Sequence, residues 1–405
     1  MHPKYLRIED FTYPLPDERI ARYPLPERDA SKLLIYSKGL IEEDTYQRLA
    51  DHLPVKATLV FNQTKVIHAR LLFQKPTGGA IEVFCLAPHT CYPDMQTAML
   101  QKGGVQWECL VGGAAKWKPG MTISLTCPQF TVSASVIERL PNSHLLNLQW
   151  TDENLTFAEV LHIAGKTPLP PYLRRDAGAD DEVRYQTIFA KDDGSVAAPT
   201  ASLHFTDGIM QSLQQKNIQS AFVTLHVGAG TFKPVKTETI EDHDMHAEWL
   251  AVSRQTIQQL LDATNNTIVA VGTTSLRTIE SLYWIGAQLL EGVAIDWQGT
   301  AVTQWLPYSD LPQYTTAQAL QACLDYLSSQ GLPQIVTQTQ IMIAPGYKLR
   351  VASGLITNFH QPQSTLLLLV AALIGQDWHK VYQHAMDNNY RFLSYGDGSL
   401  LWANE

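Results

Sequence analysis

Between residues 66 and 150, apolar and polar positions alternate in short runs, and none carries the three-to-four spacing of a helix. Strands are predicted at Val66–Gln74, Ile81–Leu86, Trp107–Val111, Thr122–Thr126, Thr131–Glu138 and Leu145–Trp150. Turn residues separate them, as in Lys75-Pro76-Thr77-Gly78-Gly79 and Lys118-Pro119-Gly120. Six short strands with no helix between them predict a small closed antiparallel β-barrel.

The flanking sequence has a different texture. Residues 1–65 open with two Pro-x-Pro segments, Pro14-Leu15-Pro16 and Pro24-Leu25-Pro26, which favour extended chain. Strands are expected at Lys32–Tyr36 and Leu59–Phe61. After Thr151 a helix at Phe157–Ala164 is followed by alternating strands and helices, with strands at Ser220–Leu225, Ile268–Val271 and Ala352–Thr357. The predicted fold class is therefore mixed α/β with two domains. A mixed-sheet α/β body (1–65 and 151–405) carries an inserted antiparallel barrel (66–150).

Composition narrows the class. The chain has 405 residues, 45% hydrophobic and 17% charged, with a formal net charge of −9. That balance is that of a globular protein and gives no overall basic footprint for nucleic acid, so any RNA must meet a local basic patch. Five cysteines without CxxC spacing point to reduced thiols and a cytoplasmic setting. No apolar leader opens the sequence, and the longest apolar run, Leu366–Ile374, is too short to span a bilayer. Nothing in the sequence calls for a second subunit, and a monomer is expected.

The candidate chemistry lies in loops that leave predicted strands. Asp193-Gly194-Ser195-Val196-Ala197-Ala198-Pro199-Thr200 is small and polar, and it runs on to His204 and Thr206. A second unusual loop is Leu225-His226-Val227-Gly228-Ala229-Gly230-Thr231. Gly272-Thr273-Thr274-Ser275 and His360 to Ser364 each lead into a helix, whose free N–H groups suit a carboxylate or phosphate. Simple capping by Thr206, Ser275 or Ser364 is the competing reading. In an open α/β sheet such loops share one rim, where ligands bind. Ser195, Thr200, Thr206, Gly228, Gly230, Thr231, Thr273, Thr274, Ser275, Arg277 and His360 are thus candidates for holding a small polar ligand. His246 with Glu248 is the first choice for proton transfer, followed by His204 and His226, since a carboxylate can orient an imidazole. The cluster Glu241 to Glu248 lacks metal-site spacing, and no metal is expected. The basic candidates for RNA are Lys65, Arg70, Lys116, Lys118, Arg174, Arg175 and Arg391. Trp117, between two lysines, is a candidate for stacking on a base.

Taken together, these motifs resemble the S-adenosylmethionine:tRNA ribosyltransferase-isomerase family of queuosine biosynthesis. The resemblance runs through Arg28 to Leu34, Leu59 to Lys65, Pro168-Leu169-Pro170-Pro171-Tyr172, Arg184 to Thr187 and Gly194 to Thr206. It continues through His226 to Val235, Met245 to Glu248, Val271 to Glu280, Thr357 to Leu367 and Tyr390 to Asp397. It implies an α/β body with an inserted barrel. It also implies a reaction in which S-adenosylmethionine donates its ribosyl group to 7-aminomethyl-7-deazaguanine at the wobble position of tRNA. Adenine and methionine leave, and epoxyqueuosine-tRNA forms. No cofactor beyond S-adenosylmethionine is implied. The sequence departs from the family pattern at Gln63 and His68 and in the segment 285–334. Two other readings compete. An S-adenosylmethionine-dependent RNA methyltransferase would need a nucleotide-binding turn, but no helix pattern follows Gly230. A non-catalytic RNA-binding module would not need so many His and Thr residues at strand ends.

Overall fold

The computed structural model describes residues 2–75, 78–118, 120–228, 235 and 237–404. The expected turn residues Pro76, Thr77 and Pro119, and the ligand candidates Gly230 and Thr231, lie outside the described residues.

The strands, in chain order, fall into three groups. The first is β1 (Lys32–Ser37), β2 (Leu40–Thr45), β3 (Thr58–Asn62) and β4 (Thr64–Val66). The second is β5 (Arg70–Gln74), β6 (Ala80–Pro88), β7 (Gly104–Gly112), β8 (Ile123–Thr126), β9 (Thr131–Arg139) and β10 (His144–Trp150). The third is β11 (Asp192–Ser195), β12 (Gln219–Leu225), β13 (Glu248–Ser253), β14 (Ile268–Val271), β15 (Thr300–Val302), β16 (Gln334–Thr339), β17 (Gly354–Asn358) and β18 (Gly398–Trp402).

The second group closes into a six-stranded barrel in the order β10-β7-β6-β5-β8-β9. Its antiparallel ladders place alternate residues inside, and β6 and β7 each read buried at every second position. Leu71, Phe73, Ile81, Val83, Trp107 and Leu146 fill the interior. The helix Phe157–Ala164 adds Phe157, Val160 and Leu161 to the same core. A Thr156–Glu159 capping box starts that helix.

Apart from β4 and β11, which pair with each other in a separate two-stranded sheet, the first and third groups build a ten-stranded mixed sheet in the order β15-β16-β13-β12-β3-β14-β17-β18-β1-β2. Its centre, β12-β3-β14-β17, is parallel. β3, β14 and β17 are buried at every position, as strands covered on both faces are. The helix Thr273–Leu290 packs against this centre and is buried along almost its full length. The parallel centre sends the carboxyl ends of β12, β3, β14 and β17 to one rim, and the long polar loops leave from there. Among the described residues no helix is long and apolar enough to cross a membrane.

Candidate active site

A cleft opens at that rim. It holds about 710 Å³ of empty space, a figure that includes its open mouth. Three segments form its polar wall: Ala198-Pro199-Thr200, Gly272-Thr273-Thr274 and Thr357 to Gln361. Tyr172, Tyr185, Phe359 and Leu393 supply flat apolar walls. Gly272 takes φ +90°, a region where a side chain would be strained, and so turns the chain from β14 straight into the long helix. Its N–H donates to the Ile356 carbonyl at 2.8 Å, which fixes the turn to β17.

A buried amide ties the strand ends together. Asn62 Nδ2 donates to the Leu225 carbonyl at 2.9 Å and to Thr274 Oγ1 at 3.1 Å, while its Oδ1 accepts from the Leu225 and Thr64 N–H groups. The end of β3 is thus locked to the end of β12 and to the first turn of the long helix. Nearby, Thr64 Oγ1 and His226 Nδ1 are 2.8 Å apart. Gly194, at φ +146°, leaves room for that ring, since a Cβ there would lie 2.8 Å from His226 Nδ1.

A second polar chain lies behind the cleft. Thr200 Oγ1 donates to Asn358 Oδ1 at 2.9 Å. Asn358 Nδ2 lies 3.3 Å from His204 Nε2, and His204 Nδ1 lies 3.3 Å from the Arg28 carbonyl. Tyr46 stacks on the imidazole with ring centroids 4.1 Å apart. Burial pushes the His204 pKa down to about 4. Both ring nitrogens are engaged, so His204 organises the wall and does not line the cleft.

Beyond Thr273 and Thr274, one turn along the same helix, Arg277 forms a buried ion pair with Glu248 through Nη1. Glu248 Oε1 also accepts the Gly228 N–H at 3.0 Å. The Nε and Nη2 groups of Arg277 are buried and have no hydrogen-bond partner among the described residues. Such donors are costly to leave unmatched and suit an incoming carboxylate.

The structure redistributes the expected roles. Thr200, Thr273, Thr274 and His360 do line the cleft. Ser195 instead ties Ala197 to Val227, at 2.7 and 2.9 Å. Thr206 caps its helix and donates to Asp29 at 2.8 Å. Ser275 donates to the Val271 carbonyl at 2.8 Å and is fully buried. The expected His246–Glu248 pair is not formed, because Glu248 faces Arg277 and His246 is exposed. His226 lies behind Val227, and burial pushes its pKa down to about 4. The imidazole that does reach the cleft is His360. Its Nε2 is 2.9 Å from Thr357 Oγ1, the backbone N–H of His360 donates to Tyr382 Oη at 3.0 Å, and burial pushes the imidazole pKa down to about 3. Asn358, Tyr172, Tyr185 and Ser394 line the cleft without having been singled out as candidates. The position of Asn358 at the very end of β17, two residues before His360, was the available signal.

The basic candidates also change. Trp117 is 1% exposed, packs in the barrel core and donates Nε1–H to the Met121 carbonyl, so it cannot stack on a base. Lys65 pairs with Asp193, Arg70 with Glu82, Arg174 with Asp17, Arg175 with Asp181 and Arg391 with Asp397. Lys116 and Lys118 stay exposed at the tip between β7 and β8. Among the described residues no group of three His, Cys, Asp or Glu side chains is placed to hold a metal.

Comparison with known proteins follows the same line. A family model described as queuosine biosynthesis protein matches residues 8–401. A protein of Pelobacter propionicus named S-adenosylmethionine:tRNA ribosyltransferase-isomerase is 36% identical over 400 residues, 97% of this chain and 99% of its own length. One of the same name from Aquifex aeolicus is 35% identical over 401 residues, covering 98% of this chain and all of its own. The crystal structure of a Thermotoga maritima S-adenosylmethionine tRNA ribosyltransferase is 26% identical, covering 96% of this chain and 99% of its own, with a TM-score of 0.46. The match along nearly the whole length makes this chain a member of the queuosine biosynthesis protein family.

Proposed function

We propose that this protein transfers and isomerises the ribosyl group of S-adenosylmethionine onto 7-aminomethyl-7-deazaguanine in the wobble position of tRNA, giving epoxyqueuosine-tRNA and releasing adenine and methionine. The observation that carries this reading is the cleft at the carboxyl ends of the parallel strands, with hydroxyls, an amide and an imidazole in its wall. S-Adenosylmethionine labelled in both the ribose and the methyl group tests it. The ribose label is expected in tRNA and the methyl label in free methionine, even after exhaustive chelation. Methyl label in tRNA would mean a methyltransferase, and loss of activity on chelation would mean a metal.

The proposed chemistry divides among the cleft residues. The sulfonium acidifies the ribose C5′ proton, and a group in the cleft must accept it. We assign that role to His360, which is neutral near pH 7 because its pKa lies at about 3. His246, the first choice from sequence, is exposed. Replacing His360 by Gln is expected to lower kcat by about 100-fold or more with KM within a few-fold, as for loss of a proton acceptor. An unchanged kcat would return the role to His246. Arg277 is assigned to the methionine carboxylate, and Thr200, Thr273 and Thr274 to the nucleoside.

The barrel (66–150) is assigned as a separate unit that contributes to tRNA binding, through the exposed Lys116 and Lys118. Changing both to Ala should weaken tRNA binding and lower the slope of log affinity against log salt by roughly one unit for each phosphate that is no longer neutralised. An unchanged slope would move the RNA surface elsewhere. A cytoplasmic location fits an enzyme acting on tRNA.

A further inference from the structure

We infer that Asn358 reads the purine edge of the nucleoside donor, and that His204 is a positioning residue holding the Asn358 amide in its reading orientation. This inference rests on the proposed reaction, and it adds a specificity element to it.

The hydrogen-bond chain fixes which way the amide points. The Arg28 carbonyl can only accept, so the His204 Nδ1 facing it carries the proton. Burial keeps the ring neutral, with a pKa of about 4. His204 Nε2 is then an acceptor, and the Asn358 atom 3.3 Å from it must be the NH2 group. The Asn358 oxygen is left to face Thr200 Oγ1, which donates to it at 2.9 Å. Tyr46, stacked on His204, keeps the imidazole from rotating.

This chain uses one N–H and one lone pair of the amide, and leaves one of each. Asn358 is 3% exposed and lies in the cleft wall. A donor beside an acceptor on a rigid planar group matches adenine, which offers its N6 amino group next to a ring nitrogen. Tyr172, Tyr185 and Phe359 provide flat surfaces for the ring. The depth of Asn358 favours a free nucleoside over a base tethered to a polynucleotide, which must enter from the mouth. A 6-oxopurine presents an acceptor where adenine presents its amino group, so it leaves the Asn358 oxygen facing another oxygen.

The test compares S-adenosylmethionine with its 6-oxopurine counterpart as donors, with acceptor tRNA present, on one preparation of each protein. A ratio of kcat/KM taken on one preparation is insensitive to any fraction that fails to fold. The wild type should prefer the adenine donor by roughly 100-fold. Asn358→Ala should bring the ratio to within about threefold of unity. His204→Phe keeps the stack on Tyr46 but removes the Nε2 acceptor, and should lower the ratio by about tenfold. Thr200→Val should lower it in the same direction from the other side of the amide. An Asn358→Ala enzyme that keeps the wild-type ratio overturns the inference. A wild type that releases adenine from S-adenosylmethionine but accepts both donors equally does so too. A wild type that releases no purine base from either donor overturns the proposed reaction instead.

Discussion

Replacing Arg277 by Met is expected to cost about 3–5 kcal/mol of stability, because it breaks the buried ion pair with Glu248. Met keeps much of the side-chain volume, so the loss reads charge and not a cavity. The conservative change is more informative. Arg277→Lys keeps a positive charge for Glu248 but removes the fork whose Nε and Nη2 groups have no partner among the described residues. Stability should therefore fall much less than in Arg277→Met. The KM for S-adenosylmethionine should nevertheless rise by about 100-fold, the order expected for losing a bidentate charged contact. The kcat should fall much less, since a carboxylate remote from the reacting carbon is bound equally in ground and transition states. Urea denaturation and steady-state kinetics on the two variants separate the effects. Wild-type KM in Arg277→Lys would remove the carboxylate assignment and leave a purely structural ion pair.

Acid should destabilise this protein well before its carboxylates titrate. His204, His226 and His360 are buried and neutral, with pKa values pushed to about 4, about 4 and about 3 from an ordinary 6.5. In the unfolded chain they would take up protons near 6.5. Because the folded values are depressed, their contribution is fully present above pH 6.5 and is lost as pH falls below it. Three such groups should together remove roughly 5 kcal/mol between pH 7 and pH 5, a large share of a domain's net stability. Glu280, fully buried and with its pKa raised by burial, acts in the opposite sense but is one group against three. Urea midpoints at pH 7 and pH 5 measure the loss, and His226→Gln should shrink the difference by about a third. Equal midpoints at the two pH values would mean that these histidines are not held neutral by burial.

How much of this was legible in the sequence depended on the length scale of the cause. Barrel strands are decided by alternation between neighbours, and residues such as Ile81, Val83 and Cys85 carry that signal locally. The parallel centre is decided by apolar runs such as Ile268–Val271. The shared rim then follows from topology, which is why Thr200, Thr273, Thr274 and His360 could be grouped from separate loops. Choosing among hydroxyls of one type was harder. Thr274 lines the cleft and Ser275 does not, because the next residue of a helix points about 100° away. Helical phase relative to a ligand is not written in a single loop.

Trp117 looked exposed between two lysines, yet the reversal between β7 and β8 aims it into the barrel. Five of the basic candidates, Lys65, Arg70, Arg174, Arg175 and Arg391, are ion-paired for a related reason. The partner of Arg174 is Asp17 and that of Arg391 also contacts Lys32, so their neutralisation depends on chain segments brought together only by folding. His246 was paired with Glu248 by proximity in sequence. The start of β13 instead turns the Glu248 carboxylate inward to Arg277.

The most direct test of the account is the identity of the small products. Purified protein, S-adenosylmethionine and tRNA carrying 7-aminomethyl-7-deazaguanine should yield adenine and methionine in equal amounts, each matched by one modified tRNA. S-Adenosylhomocysteine in place of adenine would contradict it.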